Sequence, residues 1–84
     1  MNMLNNKTLP ISSDDILYHV TQDENCSPPN FGIYAVSKND SLDQASINNR
    51  FFTENEAVMC CKWLAENNVY PVTIAEVLED LFSL

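Results

Sequence analysis

The segment FFTENEAVMCCKWLAENNVYPVTIAEVLEDLFSL, residues 51–84, decides the fold, because it predicts two helices joined by a short, proline-containing corner. The first helix begins at Thr53, where residues 53–56 (TENE) have the spacing of a capping box. In that motif the Thr53 hydroxyl accepts a hydrogen bond from the Glu56 amide, and the Glu56 carboxylate accepts one from the Thr53 amide. We expect the helix to end at Asn67-Asn68, because Asn tolerates the left-handed backbone of helix C-termini.

Successive residues lie about 100° apart around a helix axis, so the apolar residues of the first helix fall into two groups. Met59 and Trp63, four residues apart, form a second apolar stripe away from the main face. We expect the second helix to cover part of the Trp63 indole. The main face, directed at the rest of the domain, is predicted to consist of Ala57, Cys60, Cys61 and Leu64.

The second helix is predicted to begin at Thr73, because Pro71 favours an extended residue before it and residues 73–76 (TIAE) repeat the capping-box spacing. Its apolar and polar residues occupy opposite faces, which is typical of an amphipathic helix. The apolar face comprises Ile74, Val77, Leu78, Leu81 and Phe82, and the acidic outer face comprises Glu76, Glu79, Asp80 and the polar Ser83.

Three strands are predicted over residues 15–22, 31–37 and 44–52, from alternating side-chain character. Their short links favour antiparallel pairing, since a parallel pair needs a crossover of about a dozen residues or more. Gly32 indicates a bulge or a close backbone approach within the second strand. The sequence therefore predicts an α+β fold: a three-stranded antiparallel meander packed against a C-terminal pair of helices (β-β-β-α-α). The side chains predicted to share a face are Ile16, Tyr18 and Val20; Phe31, Ile33 and Ala35; and Ala45, Ile47, Asn49 and Phe51.

Residues 1–13, rich in Asn, Ser and Thr, are predicted to form a flexible N-terminal arm, which leaves residues 14–84 as a single small domain. Leu4, Leu9 and Ile11 are the residues that would attach this arm to the domain. The first ten residues lack the apolar segment of a signal peptide, and no apolar run approaches the ~20 residues that span a bilayer.

The 84 residues carry a formal net charge of −8, with only four Lys or Arg residues. A nucleic-acid-binding protein needs clustered basic residues to neutralise phosphates, and an anionic membrane surface likewise attracts positive charge. The sequence therefore argues against direct binding of nucleic acid or membranes.

The chain has three cysteines, Cys26, Cys60 and Cys61, which is an odd number. The side chains of adjacent helical residues point too far apart for Cys60 and Cys61 to form a disulfide with each other. These thiols predict a reduced, cytoplasmic protein.

No cofactor or metal site is predicted. A zinc site needs a spaced pair such as Cys-x-x-Cys with further ligands, whereas Cys60 and Cys61 are adjacent. Buried helical cysteines act mainly as small apolar residues. A small thiol-dependent enzyme using Cys61 or His19 is the least favoured interpretation, because an activated nucleophile needs a partnered base and no motif pairs these residues.

The end of the chain, Asn68-Val69-Tyr70-Pro71-Val72 followed by Ile74 and residues 77–82 (VLEDLF), resembles a family of short proteins of unknown function from Gram-positive, clostridial-type bacteria. Some members have a strand that resembles residues 31–34 (FGIY). The resemblance lies mainly in the C-terminal half, and the Asn- and Ser-rich arm and Cys60-Cys61 depart from it. It implies a small sheet followed by a helical hairpin, and it carries over no functional residue.

The residues singled out for binding are therefore surface candidates: the stripe Met59 and Trp63, and the carboxylates Glu76, Glu79 and Asp80. Trp is enriched at interface hot spots, and an acidic helix face either meets a basic partner or is simply solvated. We interpret the chain as a small non-enzymatic interaction or regulatory module, whose partner is an unknown protein or a second copy in a homodimer. The alternative is an acidic, nucleic-acid-mimicking inhibitor of a nucleic-acid-binding protein.

Overall fold

The fold is a four-stranded antiparallel sheet with two helices on one face. The computed structural model describes residues 11–82, with side chains described up to residue 80. Each strand pairs with the next along the chain, in the order β1-β2-β3-β4. The elements are β1 (Ile11–Ser12), β2 (Ile16–Gln22), β3 (Phe31–Ser37), β4 (Gln44–Phe51), α1 (Glu54–Glu66) and α2 (Pro71–Phe82).

The predicted α+β meander with a C-terminal helix pair is confirmed, but the strand count is wrong by one. The additional strand, β1, lies in the segment predicted to be a flexible arm, and it pairs Ile11 with Tyr18 and Ser12 with Leu17. Two residues are too short to show the alternation that identifies a strand. Ile11 packs against the core, as expected, whereas the rest of the predicted arm, including Leu4 and Leu9, lies outside the described residues.

The core lies between the sheet and the helices. α1 packs mainly over β2 and β3 and also contacts β1 and β4, whereas α2 packs mainly over β4 and also contacts β3. The face predicted for β2 is confirmed, because Ile16 and Tyr18 are buried and Val20 packs against them. The main face predicted for α1 is also confirmed. The core residues are Ile16, Tyr18, Ile33, Ala35, Phe51, Ala57, Cys60, Cys61, Leu64, Val69, Ile74 and Leu78.

Gly32 lies where the pairing of β3 and β4 is interrupted, which confirms the predicted irregularity. The register shifts between Phe31 and Ile33. A Cβ atom at position 32 would overlap the carbonyl oxygen of Ile47, far inside van der Waals contact. On the opposing strand Asn49 has a φ of 58°, in the left-handed region. Glycine is therefore required here by the close approach of β4.

Both ends of α1 are closed by local sequence. The Glu56 amide donates to Thr53 Oγ1 at 3.2 Å, as predicted, but the Glu56 carboxylate accepts from the Phe52 amide at 3.0 Å instead of the Thr53 amide. At the C-terminus Asn68 adopts a φ of 49°. The amides of Asn68 and Val69 donate to the carbonyls of Ala65 and Leu64. These bonds form a Schellman motif, and the predicted Asn67-Asn68 end is confirmed.

The predicted start of α2 is wrong. The helix begins at Pro71, not after a cap at Thr73. The amide and the hydroxyl of Thr73 both donate to the Tyr70 carbonyl, at 3.0 and 3.1 Å. Proline suits the first helical position because its missing N–H would have no intrahelical partner there. Pro71 is also fully buried, so packing fixes the helix start.

The amphipathic character predicted for α2 is confirmed for its described side chains. Ile74 and Leu78 are buried and Val77 packs against the core. The side chains of Leu81, Phe82 and Ser83 lie outside the described part of the chain.

Candidate protein-interaction surface

The apolar stripe of α1, formed by Met59 and Trp63, is at the surface. Met59 is 64 % exposed and Trp63 is 38 % exposed. The two side chains lie on one side of the helix, because residues four apart are neighbours on its surface. The partial exposure expected for the indole is therefore observed, and the stripe presents a thioether and an aromatic edge to solvent.

Trp63 lies on the flank of α1 that is directed away from β1. Ala65 is two residues further along and thus about 160° away around the helix. It lines a polar depression together with Ser12 and Ser13 at the β1 edge of the sheet. Since α2 packs over β4 at the other edge of the sheet, Trp63 is on the α2 side of α1. That the second helix is what covers part of the indole stays a prediction.

Phe52, just before α1, is an exposed residue that the sequence analysis did not single out. It is 61 % exposed, whereas the preceding Phe51 is buried. The sequence contained the information needed to predict this exposure, because neighbouring residues of a strand point to opposite faces of the sheet. Only one of the two phenylalanines could therefore enter the core.

The outer face of α2 is acidic. Glu76, Glu79 and Asp80 are all exposed, and the helix contains no Lys or Arg. Two of these carboxylates are in the last turn, where the helix macrodipole favours positive charge and each unfavourable charge costs about 0.3–1 kcal/mol. The acidic groups are therefore not placed to stabilise their own helix.

The corner between the helices, residues 67–70, is connected to the residue before β2 by the carboxylate of Asp15. One of its oxygens accepts from Asn68 Nδ2 at 3.0 Å and from the Tyr70 hydroxyl at 2.9 Å. These two hydrogen bonds, together with the charge of Lys38, hold the pKa of Asp15 below its ordinary value. The same carboxylate raises the pKa of Tyr70. This cluster could not be predicted from the sequence, since its partners are more than 50 residues apart on the chain.

A buried tyrosine fixes the same corner from within the core. The hydroxyl of Tyr18 donates to the carbonyl of Val69 at 2.6 Å and lies 3.3 Å from the carbonyl of Leu64. Removal from water raises the pKa of Tyr18, so the hydroxyl stays a donor. It thereby satisfies the buried carbonyl of Val69, which lies between the two helices.

A polar depression of about 500 Å³ lies beside the corner. Lys38 Nζ donates across it to the carbonyl of Ser13 at 2.7 Å. Among the described residues, Asn68 Oδ1 is a buried oxygen without a hydrogen-bond partner. No group of three or more His, Cys, Asp or Glu side chains suited to a metal ion occurs within residues 11–82. The lining residues are Ser12, Ser13, Asp14, Lys38, Ala65, Glu66 and Asn68.

The residues considered for thiol chemistry are not brought together. Burial raises the pKa of Cys60 to about 11 and that of Cys61 to about 12, so both are protonated at neutral pH and are poor nucleophiles. His19 is on the opposite face of the sheet, 6.1 Å from Tyr34 between ring centroids. Cys26 is exposed, and its bond to Asp23 raises its pKa.

Comparisons with protein-family models, with curated proteins and with solved structures find no match to this chain. The resemblance to clostridial-type proteins therefore stays a prediction.

Within residues 11–82, no helix has both the length and the apolar character needed to cross a membrane. The predicted binding residues all lie on the helical layer, but on two different helices: Met59 and Trp63 on α1, and Glu76, Glu79 and Asp80 on α2.

Proposed function

We propose that this protein is a non-enzymatic interaction module, which binds a basic protein segment with an apolar anchor on the outer surface of its helical layer. The observation that supports this most directly is the exposure of Met59 and Trp63 on α1, together with a second helix whose charged residues are all acidic and exposed. We place the module in the cytoplasm, because its three cysteines are free thiols and free thiols persist in reducing compartments.

The stripe of α1 supports the apolar half of this proposal. Aromatic side chains and Met are enriched at the cores of protein interfaces, where a few anchors carry most of the binding energy. Trp63 is 38 % exposed, so its indole can contact a partner, and Met59 adapts its shape to what packs on it.

The carboxylates of α2 support the basic half. Glu79 and Asp80 oppose the dipole of their helix, and no basic residue on α2 compensates the three carboxylates. A partner bearing Lys or Arg would relieve their mutual repulsion. Charge of this kind accelerates association and selects partners more than it strengthens the complex.

The corner supports a preformed surface. Asp15 and Tyr18 hold the segment between the helices from two sides, so the stripe of α1 and the acidic face of α2 are presented at a fixed separation. A surface that is ordered before binding loses less entropy when the partner docks.

A displayed library of random peptides tests this proposal by sampling many partner chemistries at once. The full chain is the bait, and the variant Met59→Ser/Trp63→Ala is used for counter-selection. We expect enrichment of peptides that combine an aromatic or aliphatic anchor with flanking Lys or Arg. The control variant Leu42→Ser removes an 86 % exposed apolar residue from the turn before β4, and it should retain all selected peptides. The proposal is contradicted if the wild type enriches peptides before counter-selection and the double variant then removes all of them, because those peptides bind without Met59 and Trp63.

The alternative, an acidic inhibitor that mimics nucleic acid, rests on the same carboxylates and is separated by salt and by mutation. An electrostatic mimic should lose its partner as ionic strength rises. It should also fail after Glu76→Gln/Glu79→Gln/Asp80→Asn while tolerating Trp63→Ala. The interaction module should show the reverse order of sensitivity.

A further inference from the structure

Within residues 11–82, both helices pack on one face of the sheet and leave the opposite face uncovered. We call this uncovered face the open face. Strand pairing places Leu17 opposite Val36 and His19 opposite Tyr34 at its centre. These four side chains are partly exposed. The Tyr34 hydroxyl donates to Gln44 Oε1 at 2.7 Å. Ser12, Thr21, Gln44 and Ser46 surround this centre.

The open face differs from the rest of the surface in charge. The chain has twelve Asp and Glu residues, yet the four strands of the described region contain none of them. The strands contain one formal cation, Arg50, and one histidine, His19. All of the Asp and Glu residues therefore lie in the helices and in the loops.

We propose that the open face is a self-association surface, on which a second copy of this chain packs sheet against sheet. Two copies with a net charge of −8 each repel one another, and they meet the least repulsion where neither presents a carboxylate. The centre supplies apolar and aromatic contacts, and the rim supplies uncharged hydrogen-bonding groups, which is the usual anatomy of an interface. This inference is independent of the binding surface proposed for the helical layer.

The size of the face sets the expected strength. Three of the strands have seven or eight residues, whereas β1 has two. At about 3.3 Å per residue and about 4.8 Å between strands, the three long strands give a face of roughly 23 by 14 Å, which β1 extends only at one edge. Specific interfaces of ordinary strength bury about 800 Å² per partner, so this face belongs to the small class. We therefore expect a weak dimer, which forms only at high protein concentration.

Sedimentation velocity on the full chain, at concentrations up to about 1 mM, measures this association. We expect a reversible monomer–dimer equilibrium of the 9.5 kDa chain. The dimer should become tighter as salt rises from about 0.05 to 0.5 M, because salt screens repulsion between the acidic copies. A single monomeric species at the highest concentration and salt, or a dimer that salt weakens, would overturn the proposal.

Two variants with the same added charge locate the surface. Ser46→Glu places a carboxylate on the open face, and Ala75→Glu places one on the outer side of α2, both at exposed positions. We expect Ser46→Glu to weaken the dimer at least about tenfold and Ala75→Glu less than about threefold. Circular dichroism establishes that each variant is folded, and Gln44→Glu, also exposed on the open face, replaces Ser46→Glu if that variant unfolds. Equal effects of the two carboxylates would refute this location.

Discussion

The two helices cover the same face of the sheet, but they are specified differently. α1 carries its own end signals: Glu54 and Glu56 in the first turn, a Thr53 cap and a left-handed Asn68. α2 has no acidic residue in its first turn and no basic residue in its last. Two of its three acidic groups, Glu79 and Asp80, lie in the last turn, where they oppose the helix dipole.

The difference shows that α1 is defined mainly by its local sequence and α2 mainly by docking. The start of α2 is fixed by the buried Pro71, and its position by Ile74, Leu78 and the corner that Asp15 and Tyr18 hold. A helix stabilised by packing leaves its outer face free to serve another purpose, which accords with the acidic binding surface proposed for it.

Removal of the docking contact of α2 is expected to have the largest effect. Leu78 is 1 % exposed, and Leu78→Ala should lower the free energy of unfolding by about 2–5 kcal/mol through lost burial and a cavity. With a total stability of about 5–15 kcal/mol, the domain is then close to unfolding. Urea denaturation measures the loss, and Val72→Ala, at a 78 % exposed position of the same helix, serves as the control. A loss below about 1 kcal/mol would show that α2 is not held by this contact.

The two threonines that share a capping-box spacing provide a direct comparison of the helices. Thr53→Ala should destabilise the protein by about 1 kcal/mol, since it leaves the Glu56 amide without its acceptor. Thr73→Ala should cost less than about 0.5 kcal/mol, because the hydroxyl only adds a second donor to the Tyr70 carbonyl. Thermal and urea unfolding of both variants measure the difference. Equal losses would mean that Thr73 caps α2 after all.

The corner is expected to give the smallest effect, visible as a pH dependence. The folded pKa of Asp15 is lowered, so its contribution to stability is present above the unfolded pKa of about 3.9 and is lost as pH falls through the folded value. Asp15→Asn should therefore show a shallower loss of stability than the wild type below about pH 4. Parallel acid-unfolding curves, with Asp14→Asn as the neighbouring control, make the comparison. If the free energy of unfolding falls with pH equally steeply in the wild type and in Asp15→Asn, the Asp15 carboxylate does not stabilise the corner.

What could be predicted from the sequence was local. The alternation of Ile16, Tyr18 and Val20, the buried face of α1 and both of its ends depend on residues a few positions apart, and each pattern has a fixed geometric meaning. The choice of Met59 and Trp63 as surface residues followed from the same helical spacing. The start of α2 was also predicted from local residues, but the capping-box spacing at Thr73 placed it two residues too late, because the helix begins at the buried Pro71.

The sequence by itself thus determined the types of the longer elements and the inward faces of β2 and α1. Only the tertiary structure decided that Ile11–Ser12 pairs with β2, that Gly32 accommodates the Ile47 carbonyl, that α2 begins at Pro71, and that Asp15 and Tyr18 bind the corner. The physical reason is separation along the chain: these contacts join groups that no repeat or spacing links, and they form only when packing of the apolar faces has brought distant segments together.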